Sequence, residues 1–249
     1  MKRVMVLMFG FSTMSLPVAA PAGTGNCLKF DGTNDHVRIG HTAALDVGNT
    51  VTAEAWIRPA KLDARRGIFS TRLNNAAGSF QIEVGTASGG TKRVAVTGVN
   101  TWVAESRDDA VRTNQWTHIA YVRSDVSNQT LYVNGVAQRQ NQESTTYAFT
   151  NHTSDKVIAS GTSGGQFFAG RIDALRVWSV ARSETEIRKG RYTVLNGSEA
   201  GLVACYRFDE PAGSLVPDQT ANGNDGTFIN INDEDLVACD IPFALEFGY

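Results

Sequence analysis

Gln115-Trp116-Thr117-His118-Ile119-Ala120-Tyr121-Val122-Arg123, followed after a short loop by Thr130-Leu131-Tyr132-Val133-Asn134-Gly135, constrains this chain more than any other stretch. Asn134 and Gly135 tolerate positive φ at both central positions of a turn, which a two-residue type I′ hairpin requires. The spacing predicts two long antiparallel strands and a third, 136–139, beyond the turn. In the first strand Trp116, His118, Ala120 and Val122 fall on one face. Thr117, Ile119, Tyr121 and Arg123 fall on the other. Both rows carry apolar side chains, which marks an inner strand with cover on both sides. A hairpin alone is marginal in water, so other sheets must bury it.

Further strands are predicted over 27–30, 36–39, 51–59, 67–70, 79–84, 93–96, 156–159, 167–180, 201–210 and 227–231. Within 170–178, strict alternation predicts Ile172, Ala174, Arg176 and Trp178 on one face and Arg171, Asp173, Leu175 and Val177 on the other. Residues 102–112 have no clear period and read as a loop or an edge. One short helix is indicated. Ser183-Glu184-Thr185-Glu186 fits a capping box, and Gly190 suits a left-handed stop. Two turns long, it is expected to plug one end of the sandwich. Strands separated by turns, without alternating helices, predict an all-β, two-sheet antiparallel sandwich. Its length of 249 residues suits a single such domain.

The N-terminus carries Lys2 and Arg3, then an apolar run from Val4 to Leu16, then small residues at Val18-Ala19-Ala20-Pro21-Ala22. That order predicts a secretory signal over 1–22, cleaved after Ala22, and a secreted or periplasmic product. The run is shorter than the ~20 residues a membrane-spanning helix needs, so no membrane insertion is expected. The formal charge is −2, with no basic cluster to suggest nucleic acid. In an oxidising compartment, Cys27, Cys205 and Cys239 predict one disulfide and one free thiol. Sandwich termini are commonly close, which favours Cys27–Cys239, with Cys205–Cys239 left open. No Cys-x-x-Cys spacing suggests zinc.

The order of five blocks is distinctive. They are CLKFDGTNDHVRIG, VTAEAWIRP, QWTHIAYVRSDVSNQTLYVNG, FFAGRIDALRVWSVARSETEI and GLVACYRFDEPAGSLVPDQTANGNDGTF. In this order the chain resembles the laminin-G-like jelly-roll family of the concanavalin A-like lectin/glucanase superfamily. The resemblance implies a jelly roll over about 24–232, with 233–249 as a tail packed on or following it. It also implies secreted binding roles toward carbohydrate or glycoprotein, or adhesion to a protein partner. A structural calcium would fall on Asp31, Asn34 and Asp35 in the first turn and on Asp173 in the Gly170-Arg171-Ile172-Asp173 block. Calcium takes oxygen ligands such as these.

Catalytic patterns are weak. Gly161-Thr162-Ser163-Gly164-Gly165 fits G-x-S-x-G, but a strand follows where a nucleophile elbow needs a helix. A glycosidase or lyase would need two carboxylates flanking the scissile bond. Glu54 and Glu83 each stand alone in their strands, and Asp233-Glu234-Asp235 reads as a solvated acidic loop. His36, His41, His118 and His152 have no metal-ligand spacing. Trp56, Trp116 and Trp178 read as sheet packing. Trp102, Tyr147 and Phe149 are assigned to loops, where aromatic faces could stack on sugar rings. Asn128, Asn151 and Asn196 begin acceptor sequons for N-glycosylation. The resulting expectation is a non-catalytic module for carbohydrate or glycoprotein.

Overall fold

The computed structural model describes residues 25–71, 77–86, 91–138, 146–150, 153–161, 165–209, 213 and 215–241. The predicted leader at 1–22 lies outside the described residues, as do His152 and Ser163. Two antiparallel sheets are formed. The first contains β1 (Asn26–Asp31), β3 (Val51–Pro59), β8 (Thr117–Arg123), β9 (Gln129–Val133), β10 (Val136–Ala137), β12 (Ala169–Trp178), β13 (Leu202–Tyr206) and β16 (Leu236–Ala238). The second contains β2 (His36–Ile39), β4 (Arg66–Ser70), β5 (Gln81–Thr86), β6 (Lys92–Gly98), β7 (Thr101–Glu105), β11 (Lys156–Ile158), β14 (Leu215–Val216) and β15 (Gly226–Ile229). The first runs β10-β9-β8-β3-β12-β1-β16, with β13 also on β12. The second runs β14-β15-β2-β11-β4-β5-β6-β7.

The meander sits where its two-sided apolar pattern requires. β8 pairs with β3 on one side and β9 on the other. Asn134 and Gly135 adopt φ 52 and 76, and β10 follows the turn. Ile119, Tyr121, Leu131 and Val133 join Ile57 and Val177 of the same sheet in one core. Val37, Ile39, Phe69, Ile82, Val94 and Val96 of the second sheet close on them. The buried Tyr121 hydroxyl donates to Gln129 Oε1 at 2.6 Å, so its burial leaves no orphan donor.

Two expectations are corrected and one is filled in. First, the alternation in β12 breaks at Ala174, which has φ 49. A bulge there places Asp173 and Ala174 together on the outer face, while Ile172, Leu175 and Val177 all point into the core. Second, the helix α1 (Glu184–Gly190) has its capping box but does not plug an end. It lies across the outer face of the first sheet, where its Ile187 packs on Ala120, Val122 and Tyr132. Its C-cap is Arg191 in the right-handed region, so Gly190 supplies no left-handed stop. Third, the tail begins with structure. Asp233–Asp235 form one 3-10 turn, and β16 then pairs with β1.

Candidate functional site

The outer face of the first sheet is closed. Besides Ile187, Leu195 packs with Trp178, Leu202 and Cys205. Ile241 packs with Trp56 and Ala174. Beneath this cover lies Glu54, which accepts from Trp178 Nε1 at 3.0 Å and lies 3.3 Å from His118 Nε2 and 3.6 Å from Arg176. Burial pushes the Glu54 carboxyl up. The His118 hydrogen bond and the Arg176 charge outweigh that and hold it at about 2. Burial also lowers His118, against the pull of Glu54. Arg176 donates to the Gly190 and Thr193 carbonyls and ties the cover to the sheet. His118, which has no metal-ligand spacing in the sequence, is a buried part of this support.

The outer face of the second sheet is built differently. In β5, Ile82 and Val84 enter the core, so Gln81 and Glu83 point outward. In β6, Val94 and Val96 enter the core and Arg93, Ala95 and Thr97 point outward. β7 carries a bulge that sends both Val103 and Ala104 inward, leaving Trp102 opposite Thr97 and Glu105 opposite Ala95. Glu83 also lies opposite Ala95 from the other side. Glu83, Ala95 and Glu105 therefore form one row across three strands.

Arginines organise this row. Arg65 donates to both Glu83 oxygens, at 2.5 and 2.9 Å, and its guanidinium sits 4.7 Å from the centre of the Trp102 ring. Arg93 donates to Glu105 at 2.8 Å and to Asp108 at 2.6 Å. Gln81 donates from Nε2 to Glu83 and to Gln166, both at 2.7 Å. A depression at this point is lined by Arg65, Glu83, Arg93, Ala95, Trp102 and Glu105. The half-exposed indole supplies an apolar plane and the partly exposed guanidinium groups supply donors, fixed from below by the buried Glu83 and Glu105, a combination suited to a polyhydroxylated ligand. Glu83 and Glu105 stand two strands apart, about 10 Å between Cα positions. Each is buried and engaged by a guanidinium, which suits fixing that guanidinium better than delivering a proton.

Of the three aromatics singled out in the sequence, only Trp102 belongs here, and it lies on an edge strand rather than in a loop. Tyr147 is an anchor: its hydroxyl donates to Ser79 O and receives Gly78 N–H and Val99 N–H. Phe149 is 4% exposed and stacks on Phe80 at 4.5 Å, with the Arg123 guanidinium 4.0 Å from its centroid. The buried Phe149 ring is not presented for sugar stacking. Glu83 stood in the sequence only as an isolated carboxylate, and Arg65, Gln81, Arg93 and Glu105 carried no signal beyond the outward polar positions of Gln-Ile-Glu-Val and Arg-Val-Ala-Val-Thr.

The four positions considered for calcium do not converge. Asp31 Oδ1 accepts the Thr33, Asn34 and Asp35 N–H groups, and Asp35 Oδ2 accepts the Asp31 N–H, so this is a self-capped turn. In the β1–β12 register Asp31 faces Ala169 and Leu28 faces Ile172. Asp173 is therefore four residues further along, about 13 Å from the turn. Among the described residues no group of three His, Cys, Asp or Glu side chains could hold a metal. The cysteines are free thiols rather than bonded. Cys205 packs against Trp178, whereas Cys239 adjoins the Trp56 cluster. Among the described residues no helix is long and apolar enough to cross a membrane.

Two stacked antiparallel sheets, one face sealed by a helix and the other presenting an aromatic and polar row, define a lectin-like jelly-roll sandwich. A family model of laminin G type, described as concanavalin A-like lectin/glucanases superfamily, matches residues 31–188, and the chain belongs to that family. No protein of curated function matches it in sequence. Among solved structures it is similar to a candidate carbohydrate-binding protein from Bacteroides ovatus, with 22% identity and a TM-score of 0.68. That match covers 90% of this chain but 62% of the other, so the chain spans under two thirds of that relative. It is similar to domain 4 of an extracellular arabinanase from Geobacillus stearothermophilus, solved with arabinotriose: 19% identity, TM-score 0.51, 69% of this chain and 80% of that one. A heptameric pentraxin from Limulus polyphemus gives 18%, 0.51, 68% and 82%. These likenesses establish the fold.

Proposed function

We propose that this chain is an exported, non-catalytic carbohydrate-binding module whose ligand lies on the outer face of the second sheet, against Trp102. The observation that carries the reading is the row of Trp102, Arg65–Glu83 and Arg93–Glu105, held in fixed geometry on a rigid sheet. Sugar rings present apolar C–H faces and hydroxyl edges, and this row offers a partner to each. The arabinotriose-bound domain and the Bacteroides ovatus protein, which share the fold, support the ligand class. Export rests on the leader pattern at 1–22 and is checked by N-terminal sequencing of the released product. Calcium has no part in this reading, so excess EDTA should leave the melting temperature unchanged.

The test is a panel of neutral and sialylated oligosaccharides, arabinotriose included, followed by calorimetry on the best binder. Trp102→Ala should weaken binding about tenfold or more while the fold is retained. A panel with no binder, or a variant that binds as the parent does, would overturn the proposal.

A further inference from the structure

We propose that Cys27, Cys239 and Asp173 form a thiol-oxidation site that ties the last strand covalently to the first. The register brings the cysteines together. Asn26 faces Ala238 and Cys27 faces Val237, and the Cys239 N–H donates to Gly25 O at 2.9 Å. Cys239 is two residues beyond Val237, so its side chain leaves the ladder on the same side as Cys27. The neighbouring Cys27 thiol, together with burial, holds the Cys239 thiol well above its ordinary range. The third cysteine, Cys205, lies in a separate cluster under Leu195.

Asp173 completes the unit. Cys239 Sγ donates to its Oδ2 at 3.2 Å, and Oδ1 accepts the Ala174 N–H at 2.7 Å. Leu28 faces Ile172 and both enter the core, so the next residue, Asp173, lies on the outer face beside Cys27. Burial raises it to about 7, far above an ordinary aspartate. The charged groups facing it are Arg176 on its own strand, which pulls it down, and Asp209 beyond β13, which pushes it up. β1 and β16 contribute the two thiols, and β3 contributes the uncharged Trp56. A buried carboxyl of this kind, beside a thiol and without an ion pair among the described residues, is placed to accept the thiol proton near neutral pH.

The reaction needs a disulfide reagent, and oxidised glutathione is the probe. Cys239, half-buried just past the edge strand, attacks one sulfur as its proton passes to Asp173. The glutathione S–S bond breaks and one glutathione thiol leaves. Cys27, fully buried, then attacks Cys239 Sγ in the mixed disulfide and releases the second glutathione thiol. The chain loses two electrons and two protons, and both glutathione sulfurs are reduced. The product fixes the strap that carries Asp240 to Arg58, Arg171 and Trp116, and Ile241 into the Trp56 cluster.

The full chain is equilibrated across oxidised and reduced glutathione, acid-quenched, denatured and alkylated, and its intact mass is read. Reducing conditions should give three adducts. Oxidising conditions should give one, on Cys205, with a linked Cys27–Cys239 peptide. The bond closes a loop of roughly two hundred residues, so the melting temperature should rise by about 5–10 °C. Cys27→Ser should stop at a single glutathione on Cys239. Asp173→Asn should erase a step near pH 7 in the oxidation rate. Three adducts at every ratio, or a bond to Cys205, would overturn the site. An unchanged pH profile in Asp173→Asn would overturn the proton transfer. Should that variant fail to fold, the adduct count in Cys205→Ser still decides the disulfide: two under reduction and none under oxidation.

Discussion

The outer faces of the two sheets have opposite fates. On the first, strands β3, β8 and β12 present Glu54, His118, Arg176, Trp56 and Trp178, and α1 with the following segment covers them. On the second, strands β5, β6 and β7 bury Gln81, Glu83 and Glu105 beneath Arg65, Arg93 and Trp102, which stay partly exposed and are not covered by α1. Both faces hold carboxylate–arginine pairs and indoles. The difference is what lies above them. Neither the composition of a sheet face nor the burial of its acids therefore marks a site; an indole and guanidinium groups left partly exposed above those acids do.

The largest expected effect falls on the covered face. Glu54→Ala leaves Arg176 and the Trp178 N–H without their buried acceptor, which should cost about 3–5 kcal/mol in urea unfolding. Glycan affinity of the folded fraction should not change. A loss under 1 kcal/mol would mean the covered face is as tolerant as the open one.

Next come the two buried carboxyls of that face, which carry opposite signs. Glu54 is lowered when folded, so its stabilisation is present above about 4.5 and is lost as pH falls toward about 2. Asp173 is raised, so its favourable protonated state is fully present below about 4 and is lost as pH rises through about 7. Asp173→Asn should therefore gain on the order of 2 kcal/mol over the parent at pH 8 and nothing at pH 4. Equal differences at both pH values would show that burial does not govern this group. The smallest effect concerns the cover itself. Ser183→Ala removes the capping box of α1 and should cost about 1 kcal/mol, read as a small shift in the urea midpoint.

Much of the scaffold was legible. The meander from Trp116 to Gly135, the turn at Asn134-Gly135 and the cap at Ser183 follow from local periodicity and turn chemistry. Bulges hid the rest. Val103 and Ala104 both turn inward, so β7 shows no period of two. Ile68 and Phe69 do the same in β4, and Asp173 and Ala174 share the outer face in β12. The candidate site was legible only at Trp102. Its polar members come from positions 65, 81, 83, 93 and 105 and meet through strand register, which spacing along the chain does not reveal. Phe149 misled because a segment without strand character carries it into the core against Phe80. Cys27 and Cys239 could be paired from the nearness of sandwich ends, but their carboxyl partner depends on the β1–β12 register.

The most direct measurement is amide hydrogen exchange across the chain with and without a saturating oligosaccharide drawn from the binding panel. Added protection should centre on β5, β6 and β7 and on the segment around Arg65, with α1 and β8 unchanged. Protection confined to α1 and the strands beneath it, or to the Asp31–Asp35 turn, would contradict the assignment of recognition to the open face.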